Sequence, residues 1–370
     1  MVLIRRANIK THFETLTDRR QPWKIDYSLF EIVIMTICAV ISGCEYWEDI
    51  VDFCRVKENW FREKLALELK NGIASHDTFQ RIFQIINPQE LEHSFLSWVS
   101  SIAQKTKGEI VSIDGKTVCG SRDAKTKAIH LVGAWAHANQ LALGQVRTDE
   151  KSNEITAIPA LLDLLELKDC IVTIDAMGCQ KDIAKKIINA EADYVLGLKS
   201  NQVSLHEDVK LYFEEGIESL ATTVTKEKDH GRIETREYYL ETDIAWLEQK
   251  PEWNGLCSIG MVKSKVWEKD VLREESRYFI TSLTDIETFA KAVRAHWGIE
   301  NSLHWCLDVV FREDYCRTRK DNSAENFAVI RRIALNILKI YPAKMSLARK
   351  RRKCLYDAEF MANVLFSAVQ

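Results

Sequence analysis

The chain has 370 residues, 46% hydrophobic and 28% charged, with a formal net charge of −3, an ordinary globular profile with material for a large core. Its ten cysteines contain no CxxC pair, which argues against a cysteine-built zinc site and reads as small buried hydrophobes of a reducing cytoplasm. The slight negative charge argues against indiscriminate nucleic-acid binding by the chain as a whole, and the N-terminus, MVLIRRANIK, lacks the apolar core of a signal peptide.

The first hundred residues read as all-helical. Apolar and amphipathic patterns predict helices near 28–42, 45–55 and 58–70. The most apolar run, 27–44, is 18 residues long and holds Glu31, so it reads as a buried core helix rather than a membrane span, which needs about 20 apolar residues. Ser75 is an N-cap for HDTFQRIFQII, and Asn87-Pro88-Gln89-Glu90 is a capping box with proline at the first helical position. The helix after it fades into a polar stretch at 105–108, which sets the end of a helical N-terminal domain over 1–107.

The periodicity then changes. EIVSIDG (109–115) is a short apolar strand ending in a carboxylate and a glycine; IHLVGAWAHA (129–138) and LALGQVRTD (141–149) are two more strands joined by a tight Asn139-Gln140 turn. A helix near 154–167, a strand DCIVTIDAMG (169–178), a helix near 179–191 and a strand DYVLGLKSNQ (193–202) follow. Three antiparallel strands, helix, strand, helix, strand is the order of a ribonuclease H-like fold, so the class is α/β (α+β) and 108–203 is the first part of a catalytic core. Residues 204–285 break the rhythm with a short helix and three strand-like runs, RIETREYYLETD, LCSIGMVKSKVW and VLREESRYFITSL. They read as a β-rich insertion subdomain.

The last segment, 286–370, carries the most unusual pattern. His296, Glu300, His304 and Asp308 fall four apart and stack on one helix face, while Trp297, Ile299, Leu303, Leu307, Val310 and Phe311 make the rest of that helix apolar. Burying such groups costs several kcal/mol unless they are paired, hydrogen-bonded or metal-bound, so the stripe is either an internal polar network or a ligand set. Helices near 322–341 and 356–368 form a basic tail: 312–353 holds thirteen Lys/Arg against four Asp/Glu, a local +9 that leaves −12 elsewhere. Its densest run, KMSLARKRRK with Arg349, Arg351 and Arg352, is either a solvated helix face or a phosphate-backbone contact.

Asp114 and Asp175 occupy matching places, each after a β-rich run. Alone, each reads as a turn or helix cap; as a pair ending neighbouring strands they point into one cleft, and Glu300 supplies a third hard oxygen ligand. Two Mg²⁺ ions about 4 Å apart in such a site stabilise both oxygens of an in-line phosphoryl transfer. Zinc held by His296, His304 and Glu300 is the competing chemistry, but the spacing is not the HExxH pattern.

IDGKT (113–117), KSNEI (151–155), TIDAMGCQ (173–180), LKSNQ (198–202), HGRIETR (230–236) and HWGIENSLHWCLDVVFRED (296–314), with SHDTFQRIF (75–83) and the segment 38–47, together resemble the bacterial insertion-sequence transposases that include the H-repeat-associated proteins. The resemblance implies a DDE transposase: Mg²⁺-dependent cleavage and strand transfer at the ends of a mobile element, with Mn²⁺ as substitute, on double-stranded DNA, by a homodimer on the DNA ends, in the bacterial cytoplasm. Carried over, the acidic triad is Asp114, Asp175 and Glu300. The wider superfamily's Tyr-x2-Arg-x3-Glu-x6-Lys signature reads Val293, His296, Glu300 and Leu307 here, so three of its residues are absent, and Glu313 is the alternative third carboxylate. Lys116, Lys199, Asn201, Gln202, Arg232, His296 and His304 are the candidate DNA contacts, with Arg349, Arg351 and Arg352 of the tail. Two alternatives stand beside this reading: a DNA-binding relic that no longer transposes, and another ribonuclease H-like nuclease.

Overall fold

The computed structural model describes residues 9–104, 106–122, 127–148, 154–216, 220–229, 232–268 and 271–367. Its centre is a nine-stranded mixed sheet of order β3-β2-β1-β4-β5-β9-β8-β7-β6. Strands β1 (Ile110–Thr117), β2 (His130–Ala136) and β3 (Leu141–Arg147) form an antiparallel meander, and β4 (Ile171–Ile174) and β5 (Asp193–Leu198) run parallel to β1. The strands expected within 204–285 are present as β7 (Arg232–Glu241), β8 (Ser258–Glu268) and β9 (Val271–Thr281), with a fourth, β6 (Ala221–Asp229), that the sequence pattern did not reveal. They do not close a sheet of their own: β9 pairs with β5 and carries the core sheet outward.

Helices cover the core strands on both faces. On one, α7 (Glu154–Leu164), α8 (Lys181–Asn189) and α9 (Val203–Glu215) bury Val111, Ile113, Val172 and Ile174. On the other lies α10 (Ile286–His296), capped by Asp285 through the Thr288 N–H and burying Phe289 and Val293 against Ile110, Ile171 and Val195.

The N-terminal helices α1 (Ile9–Phe13), α2 (Leu29–Ile41), α3 (Trp47–Val56), α4 (Glu58–Leu65), α5 (His76–Ile85) and α6 (Pro88–Ile102) share one core with α11 (Ser323–Ile340), α12 (Leu347–Tyr356) and α13 (Ala358–Ser367). Ser75 and Asn87 cap α5 and α6. The α4 helix stops well before residue 70, because Ala66 is left-handed and the Arg62 guanidinium bonds the Leu69 carbonyl. Buried α11 ties the layers: Asn326 donates to Phe83 O and Ile86 O at the end of α5, and Asn336 brackets Ala142 of β3 through its N–H and its carbonyl.

Candidate active site

Strands β1 and β4 stay in register to the Ile113–Ile174 pair, and the next residue on each is Asp114 and Asp175. The Asp114 carboxylate accepts the Gly115 N–H at 2.9 Å; that of Asp175 accepts Met177 N–H at 3.1 Å and Gly178 N–H at 3.4 Å, so it also caps the short turn Ala176–Gly178. Asn201 and Gln202, expected at DNA, hold this turn from behind through Ala176 O (2.7 Å) and Cys179 O (3.0 Å).

Glu300 follows α10 on a helix with two widened π-turns, Glu300–His304 and Cys306–Val310. Such turns are rare and gather at functional sites. The helix is not buried all round as its apolar sequence suggested: Leu303 and Leu307 are buried, but Trp297, Trp305 and Val309 face solvent. The polar stripe runs along the strand ends. His296 Nδ1 is hydrogen-bonded to Thr173 Oγ1 at 3.0 Å, Glu300 opens into the cavity, His304 Nδ1 lies 3.6 Å from Asp114 Oδ2, and Asp308 meets Lys116.

Asp114, Asp175, Glu300 and His296 line one cavity of about 660 Å³, with Lys199, Lys210 and Arg277 among its other walls. Burial drives the Asp114 carboxyl up to about 7; the Gly115 N–H opposes this, and the carboxylates of Asp175, Glu154 and Glu300 add to it. Burial also lowers both stripe histidines, His304 to about 4 with Arg332 and Lys116 adding to the effect, so both are neutral imidazoles near pH 7.

Beneath the cavity lies a hydrogen-bonded row that the sequence did not suggest: His296 to Thr173, Thr173 to Ser112 at 2.8 Å, and Ser112 to His137 Nε2 at 2.9 Å. Glu154 was also missed; paired with His130 at 2.7 Å, it stands close enough to Asp114 to affect its charge. Arg277 stacks on Trp297 at 4.2 Å beside Glu300.

Of the expected DNA contacts, some are engaged inside the protein and others are exposed. Lys116 is buried, its ammonium 2.6 Å from Asp308, 3.1 Å from Glu313 and 3.3 Å from Asp314. Arg351 is buried as well, donating to Val40 O and, at 2.7 Å, to Glu45. Arg349, Arg352 and Lys199 are exposed. Arg232 opens β7 opposite Asp229, and its side chain lies outside the described residues, as do His230, Gly231 and 151–153 of the KSNEI run. Glu313, the alternative third carboxylate, is fully buried; burial raises it, but Arg332, Lys116 and Arg331 pull it down to about 2, so it is a committed ion-pair partner.

Two acidic groups thus sit side by side and differ in compensation. Asp308, Glu313 and Asp314 share Lys116, and Glu313 also pairs with Arg332. Among the described residues no Lys or Arg forms an ion pair with Asp114, Asp175 or Glu300. An all-oxygen, uncompensated donor set fits a hard divalent cation such as Mg²⁺. Among the described residues no three His, Cys, Asp or Glu side chains already stand as a closed coordination group.

Comparison with known proteins agrees along nearly the whole chain. The family model described as Transposase DDE domain matches residues 105–337, and the one described as DDE_Tnp_1-associated matches residues 10–99. The chain is 40% identical to the H repeat-associated putative transposase YhhI of Escherichia coli K12, over 96% of each chain. It is also 40% identical to the putative transposase YncI of Escherichia coli O157:H7, over 96% of this chain and 94% of that one. A solved piggyBac transposase synaptic complex with hairpin DNA is a distant likeness, 12% identical with a TM-score of 0.40, covering 93% of this chain and 75% of that one. With its Asp114, Asp175 and Glu300 on one cavity and both family models matched in order, the chain belongs to the DDE transposase family.

Proposed function

We propose that this chain cuts DNA at the ends of an insertion-sequence element and joins those ends to target DNA, in a site built from Asp114, Asp175 and Glu300. The observation that carries the reading is the contrast just described: three carboxylates lining one cavity with no Lys or Arg ion-pair partner among the described residues, beside a second acidic group gathered around Lys116. The strand order β3-β2-β1-β4-β5, with β1, β4 and β5 parallel, supports a ribonuclease H-like core with β6–β9 as its insertion.

Asp114, Asp175 and Glu300 would hold Mg²⁺, two ions by the chemistry of such sites, with Mn²⁺ as substitute. Bound there, the ions lower the pKa of water and stabilise the attacking and leaving oxygens of phosphoryl transfer. The remaining work belongs to the chain. Asp114, with its charge disfavoured by burial, would have that charge stabilised by a bound cation. Lys199, Lys210 and Arg277, on the walls of the same cavity, present positive charge to the scissile phosphate. The neutral His304 imidazole sits against Asp114 and orients it without adding charge. The exposed Arg349 and Arg352 of α12 meet the backbone of the double helix away from the cut. Two copies bring two element ends together in the bacterial cytoplasm. No helix among the described residues is long and apolar enough to cross a membrane.

The test is nicking of a supercoiled plasmid carrying the gene's own flanking DNA, with Mg²⁺ or Mn²⁺. Wild type nicks it, and Glu300→Ala and Asp175→Ala lose at least about a hundredfold in rate while keeping the wild-type circular dichroism spectrum. Undiminished nicking by either variant removes the assignment.

A further inference from the structure

We propose that Lys116 is a positioning residue for the acidic site: it clamps the segment carrying Glu300 to the strand carrying Asp114, and so sets how those two carboxylates face each other. The proposal rests on the metal-site reading above. Lys116 stands two residues after Asp114 on β1, hence on the same face of the sheet. Its side chain is 7% exposed, and the three carboxylates around its ammonium all belong to the chain that follows Glu300. The Asp314 contact is a hydrogen bond, and those to Asp308 and Glu313 are close charge contacts at 2.6 and 3.1 Å. Asp308 belongs to the second π-turn, and Glu313 and Asp314 to the turn after it. The clamp is braced from outside, since Arg332 bonds Glu313 at 3.3 Å and Asp314 also accepts the Cys119 N–H at 3.0 Å.

The geometry between the clamp and Glu300 explains why a clamp is needed. A π-turn is rare, and a helix left to itself keeps the i→i−4 ladder. Here two π-turns occur almost in succession, tied at one end by His296 to Thr173 of β4 and at the other by Asp308 to Lys116 of β1. Both ties reach the strands that carry the aspartates. Released from Lys116, the second half of the segment is free to relax its register, and His304 and Glu300 turn with it.

Mn²⁺ binding to the folded protein, read from the loss of the free-ion electron paramagnetic resonance signal, separates this role from a merely structural one. Removing a cation beside a metal site tightens binding if only charge matters; losing a positioning contact weakens it. Lys116→Met is expected to bind Mn²⁺ about tenfold more weakly than wild type and to need correspondingly more Mn²⁺ for plasmid nicking. Equal or tighter binding by a cooperatively melting Lys116→Met overturns the proposal. If that variant does not fold, Asp308→Glu, which keeps the charge at a half-exposed position but displaces the contact, carries the test: binding weakened about threefold or more supports the clamp, and any smaller change overturns it. Glu300→Gln is the reference. Wild-type binding by Glu300→Gln removes the carboxylate site and the clamp together. Loss in Glu300→Gln with wild-type binding in the Lys116 and Asp308 variants removes the clamp alone.

Discussion

Gly115, on β1 between Asp114 and the clamp lysine, has no room for a side chain: a Cβ there would overlap the Glu154 carboxylate and lie 2.5 Å from His130 Nε2. Its neighbours are one end of a 2.7 Å His130–Glu154 pair, so even a methyl must push that pair apart. Gly115→Ala is expected to cost about 1–3 kcal/mol, read by denaturant unfolding. Most of that cost should vanish when Glu154→Ala is added, since the clash partner is then gone; equal losses in the single and double variants would place the strain elsewhere. The Glu154 carboxylate that crowds Gly115 also adds, with Asp175 and Glu300, to the upward push that burial gives the Asp114 carboxyl.

At the scale of elements, α6 docks on β3 through a buried carboxylate. Glu92 is 8% exposed, and its Oε1 accepts the Gln145 N–H at 2.7 Å. Burial raises its pKa from 4.5 to about 8, against the pull of that N–H and of Arg332. The folded-state pKa lies above the unfolded one, so this group's stabilisation is complete below about 4.5 and is lost as pH rises toward 8. Glu92→Gln keeps the shape without the charge. Its melting temperature relative to wild type should therefore climb between pH 5 and pH 9, and a constant difference across that range would show that Glu92 does not titrate there.

How much of each element is legible depends on where its partners lie. The caps of α5 and α6 are local, and Ser75 and Asn87 announce them. Strands β1 and β4 declare themselves as apolar runs that stop at a carboxylate. Strand β6 does not, because it has no apolar face to alternate: Thr222, Val224, Lys226 and Lys228 are exposed and the residues between them only half-covered. The widened turns after α10 leave no mark in a period of four, since four per turn lies between the α and π periods. The role of Lys116 was hidden by distance along the chain, its partners lying nearly two hundred residues further on.

At the scale of the whole molecule, the chain's two ends make one helical body, and basic residues of the tail have divided tasks within it. Arg351 satisfies the carbonyl of Val40 at the end of α2 and neutralises Glu45, while Arg352, next to it, is exposed. Arg351→Met strips the partly buried Glu45 of its hydrogen-bonded partner and is expected to cost about 3 kcal/mol in unfolding free energy. Arg352→Ala should leave melting unchanged and instead flatten the dependence of DNA affinity on salt, by about one unit in the log–log slope. The reverse pattern would mean that the two arginines had been assigned to the wrong sides of the helix.

The two π-turns have a consequence for how this helix tolerates changes of length. Each is an α-helix carrying one surplus residue, so excising one from 301–304 would mend the local backbone ladder. The same excision would rotate everything on one side of the cut by about 100° relative to the other. The backbone by itself would favour the shorter chain; the cavity requires the longer one. That opposition makes the stretch a ratchet with one permitted setting, where a gain or loss of a single codon costs the site its geometry while leaving a better-formed helix behind.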